Sequence, residues 1–279
     1  MRGRACILSF VGILGLSLLL TGFSPGKALA FCERYPFFCG GWTHDQILLV
    51  PPIVMNDAFT DLFDQRAYPI PYKYSEAVKL LGHSCGATSG GWVITKKALD
   101  MLYDPDEIPE RGNIKVYVDG AEDEWNFGVI GEAISFITGA SSSGGFKGAE
   151  FGAQNQIYKR NDKMIYGDAL GHHPGFCPEG QEPPCPGQPF VTFKFERIDP
   201  PGGEVCLDYW LGTIKPNPKF DPPYTPDGPS RGTLGARVAS GMATEEEAEA
   251  FAAYWNERVE YVFENADALV LESATCPIP

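Results

Sequence analysis

The sequence predicts an α+β domain in which helices pack on a mixed or antiparallel sheet, and three observations predict it. Trp92, Val93, Ile94, Ala98, Leu99, Met101 and Leu102 recur at helical spacing, as do Phe127, Ile130, Ala133, Ile134 and Ile137. Residues 113–118 alternate instead, with Ile114, Val116 and Val118 on one face. Further strand-like runs at 189–197 and 204–211 are mixed with these helices, which is the pattern of a layered α+β domain.

The elements follow in order. Residues 1–30 read as an export signal: Arg2 and Arg4 precede an apolar run over 7–20, and Ala28-Leu29-Ala30 supplies a small-x-small cleavage pattern. The run is short for a spanning helix, so cleavage before Phe31 is expected rather than stable membrane insertion. Residues 31–74 are rich in aromatics and proline without a clean period, and read as an N-terminal extension wrapping the core. A short helix is expected over 75–81 and a long one over 85–103. A strand over 113–118 and a helix over 125–138, ended by Gly139, come next. Residues 146–160 read as a strand and 161–188 as a loop-like, disulfide-bearing insertion. Residues 221–235 read as a loop. Thr244 followed by Glu247 is a capping box opening a helix over 244–263. The main domain therefore spans 75–271, with a tail at 272–279.

Composition narrows the function. The 279 residues carry 22 basic and 36 acidic side chains, a formal net charge of -14. Loss of Arg2, Arg4 and Lys27 with the signal would make it -17. No basic surplus exists to neutralise phosphates, so nucleic acid is excluded as an expected partner, and an anionic membrane surface with it.

An exported chain meets an oxidising compartment, where cysteines pair by default. Of 8 cysteines, Cys6 lies in the signal. Cys32 and Cys39 bracket one short proline-containing segment, and Cys177 and Cys185 another. Cys206 and Cys276 could tie a strand to the C-terminal tail. That leaves Cys85 as the odd thiol, placed at or just before a helix N-terminus, where the helix dipole favours thiolate.

His83 and Cys85 are the sharpest chemical pair in the chain. Two residues apart in an extended segment, their side chains lie on the same side. Imidazole and thiolate are ligands for zinc and other borderline or soft transition metals. Two ligands are not a full set. The candidates for a third are His172 and His173 in the insertion and Glu122, Asp123 and Glu124 ahead of the second long helix. Glu132, off the apolar stripe of that helix, is a candidate for a polar contact to the site. The plain alternatives are a satisfied histidine beside an inert buried thiol, and solvated acids at a helix N-terminus. Residues 139–148 are glycine-rich but lack the Gly-Lys-Ser/Thr of a phosphate-binding loop, and there is no Cys-x-x-Cys for a dithiol or c-type haem site.

Several segments together resemble the FmdE family, named for a component of formylmethanofuran dehydrogenase. They are Gly82-His83-Ser84-Cys85-Gly86 opening a small-residue helix, the strand Ile114-Lys115-Val116-Tyr117-Val118, and Gly131-Glu132-Ala133-Ile134 through Thr138-Gly139. The runs at 155–163, 190–195 and 263–266 resemble its later elements. The resemblance implies an α+β domain, often a homodimer, binding a metal through His83 and Cys85. This chain departs from the family where Gly86 directly follows Cys85 and where Val129 stands near the family's second cysteine. Export also separates it from a cytoplasmic dehydrogenase. The leading expectation is an exported metal-binding protein, zinc by default, in metal or cofactor handling or as a redox accessory. The alternatives are a nucleophilic enzyme using Cys85 with His83 as base, a non-covalent haem protein and a structural module with an unreactive thiol. Neither substrate nor small-molecule ligand is named by these residues.

Overall fold

The computed structural model describes residues 42, 44–65, 67–123, 126–149, 156–167, 190–210, 234–273 and 276. The chain divides between Pro51 and Pro52 into two units. The described part of the first contains one short helix, α1 (Gln46–Leu49). The second unit runs β1 (Ile53–Asp57), α2 (Ala58–Leu62), β2 (Ile70–Tyr72), α3 (Tyr74–Leu81), α4 (Gly86–Leu102), β3 (Glu110–Arg111), β4 (Ile114–Val118) and α5 (Phe127–Thr138). A 3-10 turn at Gln156–Tyr158, β5 (Met164–Tyr166), β6 (Phe190–Arg197) and β7 (Gly203–Trp210) follow, then α6 (Leu234–Ala239), α7 (Glu245–Glu264), α8 (Ala266–Leu269) and β8 (Val270–Glu272). The fold is α+β, as the mixed periodicities predict.

The larger sheet has the order β5-β4-β6-β7-β8. β4 and β5 run parallel and the other neighbours antiparallel, so the sheet is mixed. Its register aligns Val116 with Phe195 and Phe195 with Val205, and Val118 with Phe193 and Phe193 with Leu207. All of these side chains are buried and share one face of the sheet. α4 lies across this face against β7, and also packs on α5 and α7. Its glycines permit that fit. A Cβ at Gly91 would stand 2.7 Å from the Ile130 carbonyl oxygen and 2.8 Å from the Ala133 Cβ, so α5 approaches α4 backbone to backbone.

Three sequence expectations need correction. Residues 52–74, read as part of an extension without a clean period, carry regular structure within the second unit. There β1 pairs with β2 and β3 in a three-stranded sheet, with Ile53, Met55 and Asp57 buried. The alternation is present, but one of its buried positions is an aspartate, which conceals it. The described residues of 146–160 do not form a strand. Gly148, at φ +82°, makes an isolated bridge to Lys159, and the 3-10 turn precedes that contact. The region 161–188 is not wholly an insertion, because Met164–Tyr166 is the edge strand β5. Three residues are too few to show a period. The remainder of that region, with Cys177 and Cys185, lies outside the described residues, as do Cys32 and Cys39.

The C-terminal tail is tied down. Cys206 on β7 forms a disulfide with Cys276, and the Ser273 N–H donates to the Cys206 carbonyl at 2.8 Å. Cys85 is a free thiol, and it is buried. No described helix is long and apolar enough to cross a membrane.

Candidate functional site

The site is built at the junction of α3 and α4. α3 ends because Gly82 adopts φ +80°, the left-handed conformation that glycine takes without penalty. The chain then turns extended, with Cys85 at φ −153° and ψ 175° as the N-cap of α4. Helix N-termini leave backbone N–H groups without intrahelical partners. Here the Thr88 N–H donates to the Cys85 Sγ at 3.4 Å, and the Thr88 hydroxyl lies at the same distance from the sulfur. The thiol therefore sits where a serine or aspartate oxygen usually caps a helix.

His83 is exposed beside it, its Nδ1 3.3 Å from the Leu81 carbonyl oxygen. Burial opposes ionisation of Cys85. The hydrogen bonds from His83 and from the side chain and backbone of Thr88, with the His83 charge, outweigh it and hold the thiol below its ordinary value. The interaction with Cys85 is also the largest effect on His83 and raises the imidazole against a smaller opposing effect of partial desolvation. The two shifts have opposite signs, so each group favours the charged form of the other.

Three aromatic residues brace this turn. The Tyr74 hydroxyl is 2.6 Å from Ser84 Oγ, the Trp255 indole N–H donates to the Ser84 carbonyl at 2.8 Å, and the Tyr209 hydroxyl donates to the Gly86 carbonyl at 2.9 Å. Sequence reasoning missed all three, along with Thr88. Thr88 alone had a local signal, since Cys85-x-x-Thr88 has the spacing of an N-cap and its N3 donor. Tyr209 depends on Gly90, because a Cβ there would fall 2.5 Å from the buried tyrosine ring. Alanine would improve helix propensity by about 1 kcal/mol. Overpacking is nevertheless expected to dominate, so that Gly90→Ala destabilises the fold by about 1–2 kcal/mol. Urea denaturation checks this, and an unchanged or raised midpoint would show that Tyr209 moves aside freely.

The other candidates are distributed elsewhere. Glu122 and Glu132 line a cleft of about 490 Å³ with Tyr166 and the hydroxyl-bearing residues Ser135, Ser141, Ser142 and Ser143. Burial, then the charges of Glu122 and Glu132, push the Tyr166 phenol up. Asp123 is exposed. Glu124, His172 and His173 lie outside the described residues. Among the described residues, no three His, Cys, Asp or Glu side chains converge as a metal-binding group. The donor set brought together at α4 is one thiol and one imidazole.

Fold and site together define a class: an α+β protein with a helix-capping thiol paired to a histidine. No family model, curated protein or solved structure matches the chain.

Proposed function

We propose that this is an exported protein that binds a transition metal, zinc by default, through the Cys85 thiolate and the His83 imidazole. The observation that carries the reading is the convergence of these two donors at the N-terminus of α4, with the thiol held toward its ionised form. Thiolate is the state that ligates metal, so the Thr88 cap prepares the sulfur in advance, while His83 gives up its proton as the metal binds. The His-x-Cys resemblance to the FmdE family supports the same pair. A signal-like segment over 1–30 and the Cys206–Cys276 disulfide support export. In this reading the remaining coordination positions are filled by solvent, by His172 or His173, or by a second copy of the chain in a homodimer. An open position is what metal handling or water activation requires.

Elemental analysis of the exported protein beside Cys85→Ser tests the reading. Serine retains the capping role, so the fold is expected to persist. About one metal per chain is expected in the parent and less than about one tenth of that in the variant, as the loss of one of few ligands requires. No metal in the parent, or undiminished metal in Cys85→Ser, would overturn it. One observation favours a second reading, a nucleophilic thiol: the lack of a third converging ligand among the described residues. That reading predicts a metal-free protein in which a thiol reagent labels Cys85 stoichiometrically at neutral pH.

A further inference from the structure

We propose that Trp255 is the positioning residue of the His83–Cys85 pair, holding the turn between the two donors through the Ser84 carbonyl. The inference rests on the reading of that pair as metal ligands. Its observations are independent of the motif, because Trp255 comes from α7, 171 residues further along the chain than Ser84.

The Trp255 indole N–H donates to the carbonyl of Ser84, the one residue between the donors. A hydrogen bond at this carbonyl fixes the Ser84–Cys85 peptide plane. That plane sets the direction in which the Cys85 side chain leaves the backbone. The indole ring also lies 6.3 Å from the His83 ring, tilted by 45°. One side chain thus reaches both sides of the pair, by a bond to the backbone and by ring contact with the imidazole.

Trp255 is in turn held in place. Arg258, buried one turn along α7, stacks its guanidinium 5.1 Å from the indole centroid, and Phe251 packs 5.4 Å away. Groups that orient metal ligands from outside the coordination sphere act in this way, through the ligand's geometry rather than by touching the ion.

The test uses the full exported chain loaded with Co(II), whose visible and near-ultraviolet bands report ligand geometry and thiolate coordination. Trp255→Phe keeps a ring and removes the N–H. Phe251→Leu loosens the same packing and leaves the N–H intact. Trp255→Phe is expected to bind Co(II) about tenfold more weakly, at the low end for an outer-shell partner, with altered bands. Phe251→Leu removes one support of the indole but keeps the N–H bond to Ser84, so it is expected to weaken Co(II) binding much less than Trp255→Phe and to keep the parental bands. In the metal-free chain, release of the buried sulfur is expected to speed its alkylation by iodoacetamide about fivefold in Trp255→Phe, the effect of one neutral hydrogen bond. Parental affinity, bands and alkylation in Trp255→Phe would overturn the proposal, as would equal weakening in Phe251→Leu. A Trp255→Phe chain that does not fold would also overturn it, since the bond would then serve the fold. If the parent takes up no Co(II), the metal reading fails by itself, and the alkylation rates still decide whether Trp255 positions the thiol.

Discussion

Asp57→Ala is expected to destabilise the protein by about 3–5 kcal/mol, the range for breaking a buried ion pair from one side. Asp57 is only 5% exposed and ends β1. One oxygen accepts from Arg160 Nη2 at 3.0 Å and the other from Arg111 Nη1 at 3.1 Å, and the carboxylate also caps α2 through the Phe59 N–H at 2.9 Å. Arg160 is fully buried, and its Nε and Nη1 have no hydrogen-bond partner among the described residues. Burial pushes the Arg160 guanidinium down and Asp57 pushes it back up, so the carboxylate is what allows the charge to remain inside. The backbone is shaped to the same end. Gly112, at φ +99°, has no Cβ that would meet Arg160 Nη1 at 1.9 Å. Alanine at 57 leaves two guanidinium groups without their counter-ion and one helix without its cap. Chemical denaturation of Asp57→Ala and of Asp57→Ala/Arg160→Met separates these effects. The double variant is expected to recover part of the loss, because it removes the stranded charge along with its partner. A loss under about 1 kcal/mol in the single variant would mean that Arg160 finds another anion.

This cluster also explains where the sequence was legible and where it was not. α4, β4, α5 and α7 are legible because local signals agree with tertiary burial. Ile114, Val116 and Val118 alternate and are buried, Gly139 ends α5 at φ +73°, and Thr244 and Glu247 form the capping box of α7. β1 and β5 were not legible. Asp57 occupies a core position of β1, and β5 is three residues whose partner strand β4 lies some fifty positions earlier. Arg160 and Lys163 are buried although both carry charge; the carboxylate of Asp57 and the carbonyls of Gly112 and Gln156, all distant in sequence or unmarked by local pattern, make their burial possible. The site divides in the same way. The spacing of His83 and Cys85 and the cap position were local. The braces from Trp255 and Tyr209 were not, since nothing near residue 84 announces an indole from α7.

The second large effect concerns how α7 is kept in reach of the site. Replacing both Cys206 and Cys276 by alanine is expected to cost about 4 kcal/mol, from the loop-closure entropy of a 70-residue separation. The segment so closed contains α6, α7 and α8 and returns to the sheet as β8, whose Val270 pairs with Tyr209 on β7. Tyr209 donates to the Gly86 carbonyl and α7 supplies Trp255, so the bridge closes the loop that carries one brace of the Cys85 turn and anchors it to the strand that carries another. The entropic account places most of the effect in the unfolded chain. It therefore predicts a lower denaturation midpoint for the double variant, with a native state that still binds metal under mild conditions. If the bridge instead strengthens native packing, metal affinity will fall along with stability, and Co(II) titration beside urea denaturation distinguishes the two. A loss below about 1 kcal/mol would mean that the unfolded chain already keeps β7 and β8 together, leaving little loop entropy for the disulfide to remove.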